Sequence, residues 1–138
     1  MRGETRYTLD DKGRVVIPPR FRLEIGDRVI VTRWIDPCLA AFSPAVWQSV
    51  DEKLRAQPLA NRDFVRLLSA AEPCDLDRQG RITLTPQLRE FASIARDVTI
   101  VGVGNHLEIW SSQKWRRRIQ TTLQNKEIAQ QVGSLVLG

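Results

Sequence analysis

Two short basic motifs combine residue types and spacings that can do chemistry. Asp10-Asp11-Lys12-Gly13-Arg14 and Asp77-Arg78-Gln79-Gly80-Arg81 each set a carboxylate four residues ahead of an arginine, with glycine just before that arginine. Arg20 and Arg22 follow the first motif, and Arg89 follows the second. A guanidinium carries a rigid fork of donors that can grip a phosphate, or the guanine edge, through two parallel hydrogen bonds. The aspartate suits another task, because Asp caps tight turns and Gly supplies the positive φ that they need. Asp10, Gly13, Asp77 and Gly80 are therefore read as turn supports. Lys12, Arg14, Arg20, Arg22, Arg78 and Arg81 are read as candidate contacts to a polyanion. The formal net charge of +5 agrees, since a basic surplus favours DNA, RNA or anionic lipid as partner. A third basic run, Arg116-Arg117-Arg118, lies in a helical pattern and reads as a solvated face or a subunit contact.

Other chemistries find little to work with. The single histidine, His106, has no nucleophile elbow near it, so a catalytic triad is excluded by inventory. It follows a Gly-Asn turn and reads as hairpin surface. Cys38 and Cys74 fit no zinc spacing and are expected to be free, half-buried or buried thiols. Gly102-Val103-Gly104 precedes a second hairpin strand, not a helix, so it is no phosphate cradle. An enzyme, a metal, a cofactor and a small-molecule substrate are therefore not expected. No apolar run approaches the roughly 20 residues that span a bilayer. Met1 to Arg6 has no secretory character. The expected location is the cytoplasm, with no membrane partner.

The elements that position the motifs repeat within the chain. Residues 10–22 answer residues 77–89 at an offset of 67, Gly13 to Gly80. Further on, Leu39, Phe42, Ser43 and Trp47 answer Leu107, Trp110, Ser111 and Trp115 at an offset of 68. Each copy reads as strand, turn, strand, short helical turn, hairpin and helix. Arg14 to Ile17 is β-branched and ends at Pro18-Pro19. Val29 to Thr32 and Cys38 to Phe42 make one hairpin. Val98 to Val103 and Leu107 to Trp110 make another around Gly104-Asn105. Ser43-Pro44 opens a helix bearing Val46, Trp47, Val50 and Leu54 on one face, and Ser111 or Ser112 caps its counterpart. Trp47 and Trp115 are expected in the core; a base-stacking role for Trp34 or Trp110 has little support. The boundaries read as a first unit over 1–57, a connecting helix over 58–71 with stripe Phe64, Leu67, Leu68 and Ala71, and a second unit over 72–138. The tail past Lys126 is weakly patterned and reads as a fraying end or an arm.

Leu9 to Pro18, the second motif, and the segment Val101 to Trp110 together resemble the MraZ family, and the resemblance spans nearly the whole chain. The paired Asp-x-x-x-Arg motifs are that family's signature. The resemblance implies an α+β fold of two AbrB-like swapped-hairpin units forming an internal pseudo-dimer flanked by helices. It implies homo-oligomeric rings, and binding to double-stranded DNA at direct repeats upstream of the division and cell-wall gene cluster. It places DNA contact at Arg14, with Lys12 beside it and Arg81 as the second equivalent, and it implies a nucleoid-associated protein. The second motif departs from the first: Gln79 stands for Lys12, Thr85 for Pro18 and Gln87 for Arg20. The first motif is therefore expected to be the stronger contact. The competing readings are a ring-forming protein-interaction module with an incidental basic surface, and an RNA-binding module.

Overall fold

The computed structural model describes residues 1–58 and 62–138. The element order is β1(Glu4–Thr8), β2(Arg14–Val16), α1(Pro19–Ile25), β3(Arg28–Arg33), β4(Leu39–Phe42), α2(Pro44–Arg55) and α3(Arg62–Ser69), then β5(Glu72–Asp75), β6(Arg81–Thr83), α4(Pro86–Ala92), β7(Asp97–Gly102), β8(Leu107–Ser111), α5(Ser112–Gln124) and α6(Lys126–Leu137). The class is α+β, and each half repeats the same succession of elements.

The halves interleave. A six-stranded antiparallel sheet runs β1-β7-β8-β4-β3-β5, and β2 pairs with β6 in a separate two-stranded ribbon. The first strand of each half thus lies against the third strand of the other: β1 on β7 and β5 on β3. At the centre of the large sheet Ala40 faces Glu108, and at the centre of the ribbon Val15 faces Ile82. These two pairs join equivalent positions, so a pseudo-two-fold axis passes through both sheets.

Alternation decides which face of each strand is buried. Val15 and Ile82 point from the ribbon toward the large sheet, where they meet Val29, Val31, Leu39, Val98, Ile100 and Ile109. The short helices close the rim of this core with Phe21 and Ile25 from α1 and Leu88 and Ala92 from α4. Pro19 starts α1, while the Thr85 hydroxyl accepts from the Leu88 amide to start α4. On the opposite face of the large sheet lie α2 and α5, each opened by a serine whose oxygen accepts a backbone N–H of its first turn.

Several expectations are corrected. Trp47 and Trp115 are half-buried on that outer face, tilted against Phe42 and Trp110, and it is Trp110 that is fully buried. The connecting helix is shorter than 58–71, running from Arg62 to Ser69 with Phe64 exposed; residues 59–61 of the expected span lie outside the described residues. Of the two readings of the tail, the arm fits: α6 is an exposed twelve-residue helix whose Asn125 cap accepts from the Ile128 amide. β5 had no strand signal, because Glu72-Pro73-Cys74-Asp75 is β-poor; it forms because the edge of β3 offers it partners. Cys38 is buried and Cys74 half-buried, both free. Burial pushes both thiols up, Cys74 to about 11, so neither is a ready nucleophile. Among the described residues no helix is long and apolar enough to cross a membrane.

Ile17 is fully buried, whereas Leu23 is 97% exposed on α1. Ile17→Ala should lower unfolding free energy by about 2–5 kcal/mol, as large-to-small core changes do. Leu23→Ala should stay within about 0.5 kcal/mol. Urea unfolding of both variants checks the assignment of the core.

Candidate nucleic-acid interface

Both basic motifs fold into the same turn. One oxygen of Asp10 (Oδ1) accepts from the backbone N–H of Lys12 at 2.9 Å and of Arg14 at 2.8 Å. The other, Oδ2, accepts from Arg14 Nε at 2.6 Å. Asp77 repeats this with the amides of Gln79 and Arg81, both at 2.9 Å, and with Arg81 Nε at 2.8 Å. Each turn closes with the glycine amide donating to the aspartate carbonyl, Gly13 to Asp10 and Gly80 to Asp77. Both glycines sit at φ 76, which favours glycine over any residue with a side chain.

The aspartates thus spend their acceptors on the turn. Their carboxyls are held below the ordinary 3.8, chiefly by the backbone N–H of Arg14 and of Arg81, with partial desolvation opposing. A carboxyl depressed in the folded state stabilises fully above its unfolded value and loses that contribution as pH falls through its lowered value. Near neutral pH both turns are therefore locked, and each arginine is tethered by Nε to its own aspartate.

Ribbon pairing brings the two arginines together. Arg14 faces Thr83 and Val16 faces Arg81, and opposed residues share a face. With Val15 and Ile82 directed inward, Arg14, Val16, Arg81 and Thr83 form the outward face. Arg81 Nη1 also lies 3.7 Å from Asp10 Oδ2, a contact across the two halves. Lys12 and Arg78 stand exposed at the turn tips on either side.

The remaining candidates divide. Arg20 lies over the Phe21 ring, 4.6 Å from its centroid, and beside Gly3, just ahead of β1. Arg22 faces inward: Nε donates to the Ile17 carbonyl and Nη2 to the Gln79 carbonyl. Its guanidinium covers Gly80, where a Cβ would fall on it. Arg89, the counterpart, donates to the Leu84 carbonyl, and its guanidinium carbon would stand 3.4 Å from a Cβ on Gly13. Each half thus props the other half's turn with an arginine. Val16 and Thr83, the outward neighbours of the two arginines, escaped sequence reading because strand alternation alone does not say that β2 pairs with β6.

His106 is not hairpin surface. It stacks on Phe42 at 4.8 Å and 23°, its Nδ1 is 2.8 Å from Asn105 Oδ1, and burial pushes its pKa down. Arg118 is paired too, with Asp36 at 2.9 Å and over the Trp110 ring, while Arg116 and Arg117 are exposed.

Two interleaved halves thus present a pair of tethered arginines on the outward face of one ribbon. A family model described as "MraZ protein, putative antitoxin-like" matches the chain twice, over residues 1–66 and 67–133. Similar proteins include one from Natranaerobius thermophilus, 45% identical over 82% of each chain. Another is from Carboxydothermus hydrogenoformans, 48% identical over 82% of each chain. A third, from Limosilactobacillus reuteri, is 45% identical over 93% of this chain and 94% of its own. All three carry the name "Transcriptional regulator MraZ", the name of a regulator and not of an enzyme. The chain belongs to the MraZ family.

The propping of the turns gives a direct test. Gly80 and Gly104 share a positive φ, 76 and 77, but a Cβ at Gly104 meets nothing within 4 Å. Gly80→Ala should cost about 1–3 kcal/mol more than Gly104→Ala. Adding Arg22→Ala to Gly80→Ala should recover part of that excess, with a coupling of about 0.5–3 kcal/mol in a double-mutant cycle.

Proposed function

We propose that this chain is a sequence-specific DNA-binding transcription regulator, acting on direct repeats upstream of the division and cell-wall gene cluster. The observation that carries the reading is the placing of Arg14 and Arg81, each tethered by its own aspartate, on the outward face of one two-stranded ribbon. A duplex major groove admits such a ribbon, and arginine forks match the O6 and N7 atoms of guanine. The exposed Lys12 and Arg78 are suited to phosphates on either side, where contacts add affinity but not sequence choice. Arg20, beside Gly3 ahead of β1, joins this set. Arg22 supports it from beneath, so its effect on binding runs through the turn. The names of the relatives agree with a transcription role.

The halves are, on this reading, AbrB-like swapped hairpins, supported by the exchange of β1 and β5. Copies of the chain assemble into a ring in the cytoplasm, at the nucleoid. One ribbon makes few contacts and binds weakly. Several ribbons on one body engage several repeats, and the tethering multiplies affinity by roughly 10² to 10⁴. Spacing between repeats must then match spacing between subunits.

The two motifs are not equal. Arg81 has the extra carboxylate of Asp10 nearby, and Gln79 replaces Lys12 at its turn tip. Arg14 is therefore the stronger contact. Fluorescence anisotropy with duplex from upstream of the gene cluster, against a shuffled duplex, checks this. At near-physiological salt the native duplex should win, and Arg14→Ala should weaken it roughly 10- to 100-fold, more than Arg81→Ala. Lys12→Ala should reduce the salt slope by about one unit without changing sequence preference. Equal weak binding to both duplexes, unchanged by Arg14→Ala, would leave only non-specific attraction and favour the protein-interaction module.

A further inference from the structure

The two halves match strand for strand, but their last helices do not behave alike. In the first half α3 follows α2 and lies back against α2 and β3, with Leu68 buried. In the second half α6 follows α5, and almost every residue of it is exposed. The offset of 68 that relates Phe42 to Trp110 carries Arg62–Ser69 onto residues 130–137, inside α6. Phe64, Leu67 and Leu68 then answer Val132, Leu135 and Val136. The apolar pattern is kept, yet Val136 is 74% exposed and Leu135 86%. Helix α6 is the counterpart of α3 without its seat.

The seat itself is present and open. Where α3 would lie in the second half there is a groove of about 490 Å³ between α5, β1 and β7. Glu4, Arg6, Thr99, Trp115, Ile119 and Gln120 line it. The chain's own α6 cannot reach back into it. α2 ends at Arg55 and α3 begins at Arg62, whereas Asn125 alone separates α5 from α6. A one-residue connector is shorter than the roughly two to five residues that let one helix fold back along another.

We infer that the groove between α5 and β1 receives α6 of a second copy of this chain, in the position that α3 holds within the first half. The contact is head-to-tail: each copy gives one helix and offers one groove. Such contacts close into rings when the rotation between copies allows. The inference rests on the proposed assembly only for the existence of an oligomer, and it needs no DNA. Arg116, the first of the run Arg116-Arg117-Arg118, also lines the groove and sits within this contact.

Native mass measurements on the full chain test it. A chain with Leu135→Asp and Val136→Asp, the counterparts of half-buried Leu67 and buried Leu68, should lose its helix plug and run as a single chain. Ile119→Asp should lose its groove and do the same, and Gln120→Trp, which fills the groove from an exposed position, should behave likewise. Mixing the plug variant with a groove variant in equal amounts should restore a two-chain species and nothing larger, because only one good plug and one good groove can meet. Far-ultraviolet circular dichroism of each variant should match wild type, since all altered side chains lie outside the core, while thermal unfolding should fall below that of the assembled wild type because the partner's contribution is lost. An Ile119→Asp chain that still assembles, or a mixture of folded variants that yields no two-chain species, would overturn the contact. A wild-type chain that runs alone would overturn both the contact and the ring. Arg14→Ala should keep wild-type mass, so a failure of DNA binding and a failure of assembly are read separately.

Discussion

The Ile17 amide donates to the Gly80 carbonyl, and the Leu84 amide donates to the Gly13 carbonyl. These two bonds cross between the halves, and the arginine surface hangs on them. Gly80 must stay bare because Arg22 of the other half lies over it, and a Cβ at Gly13 would press on the other half's Leu84 carbonyl at 3.1 Å. Each ribbon strand has only the other half's strand to pair with. An isolated half would leave one face of β2 or β6 without its ladder, and unpaired backbone groups in a buried setting are costly. Duplication within one chain keeps the partner strand at hand, which an exchange between separate chains would have to find by association.

Placing carboxylates beside arginines on a surface proposed to meet a polyanion looks counterproductive. The geometry resolves it. Asp10 and Asp77 take two backbone amides each, so much of their negative charge is already engaged. What they hold is Nε, the inner edge of the guanidinium; of the outer nitrogens, Arg81 Nη1 lies near Asp10 Oδ2 at 3.7 Å. An arginine fixed in this way has less side-chain freedom to lose on binding. The same aspartates keep the turns closed wherever pH stays above their depressed values.

Much of this was legible before any coordinates. The offset between the motifs, the turn chemistry of Asp-x-x-Gly-Arg, the Gly-Asn hairpin and the Ser-Pro helix start are local signals, and local signals survive in sequence. What stayed hidden depends on distant partners. β5 is a poor strand by composition and forms only against β3. Arg22 and Lys12 are alike as basic residues near a turn, but the proximity of Gly80 turns one inward. His106 sits at a surface-like position in its hairpin, yet Phe42 and Trp34 from the other half cover it. Trp47 and Trp115 have the spacing of core residues, but the helices that carry them rest on the outer face of the sheet. The stripe of α6 is weak in sequence terms because no element within the same chain covers it.

The central claim is that the ribbon shared by the two halves enters the major groove with Arg14 at guanine edges. Methylation interference tests it most directly, because one reagent marks guanine N7 in the major groove and adenine N3 in the minor groove. The account predicts that N7 methylation at guanines within the direct repeats blocks binding, while adenine N3 methylation has little effect. Binding indifferent to N7 methylation but blocked at adenine N3 would contradict it, and would place the protein in the minor groove instead.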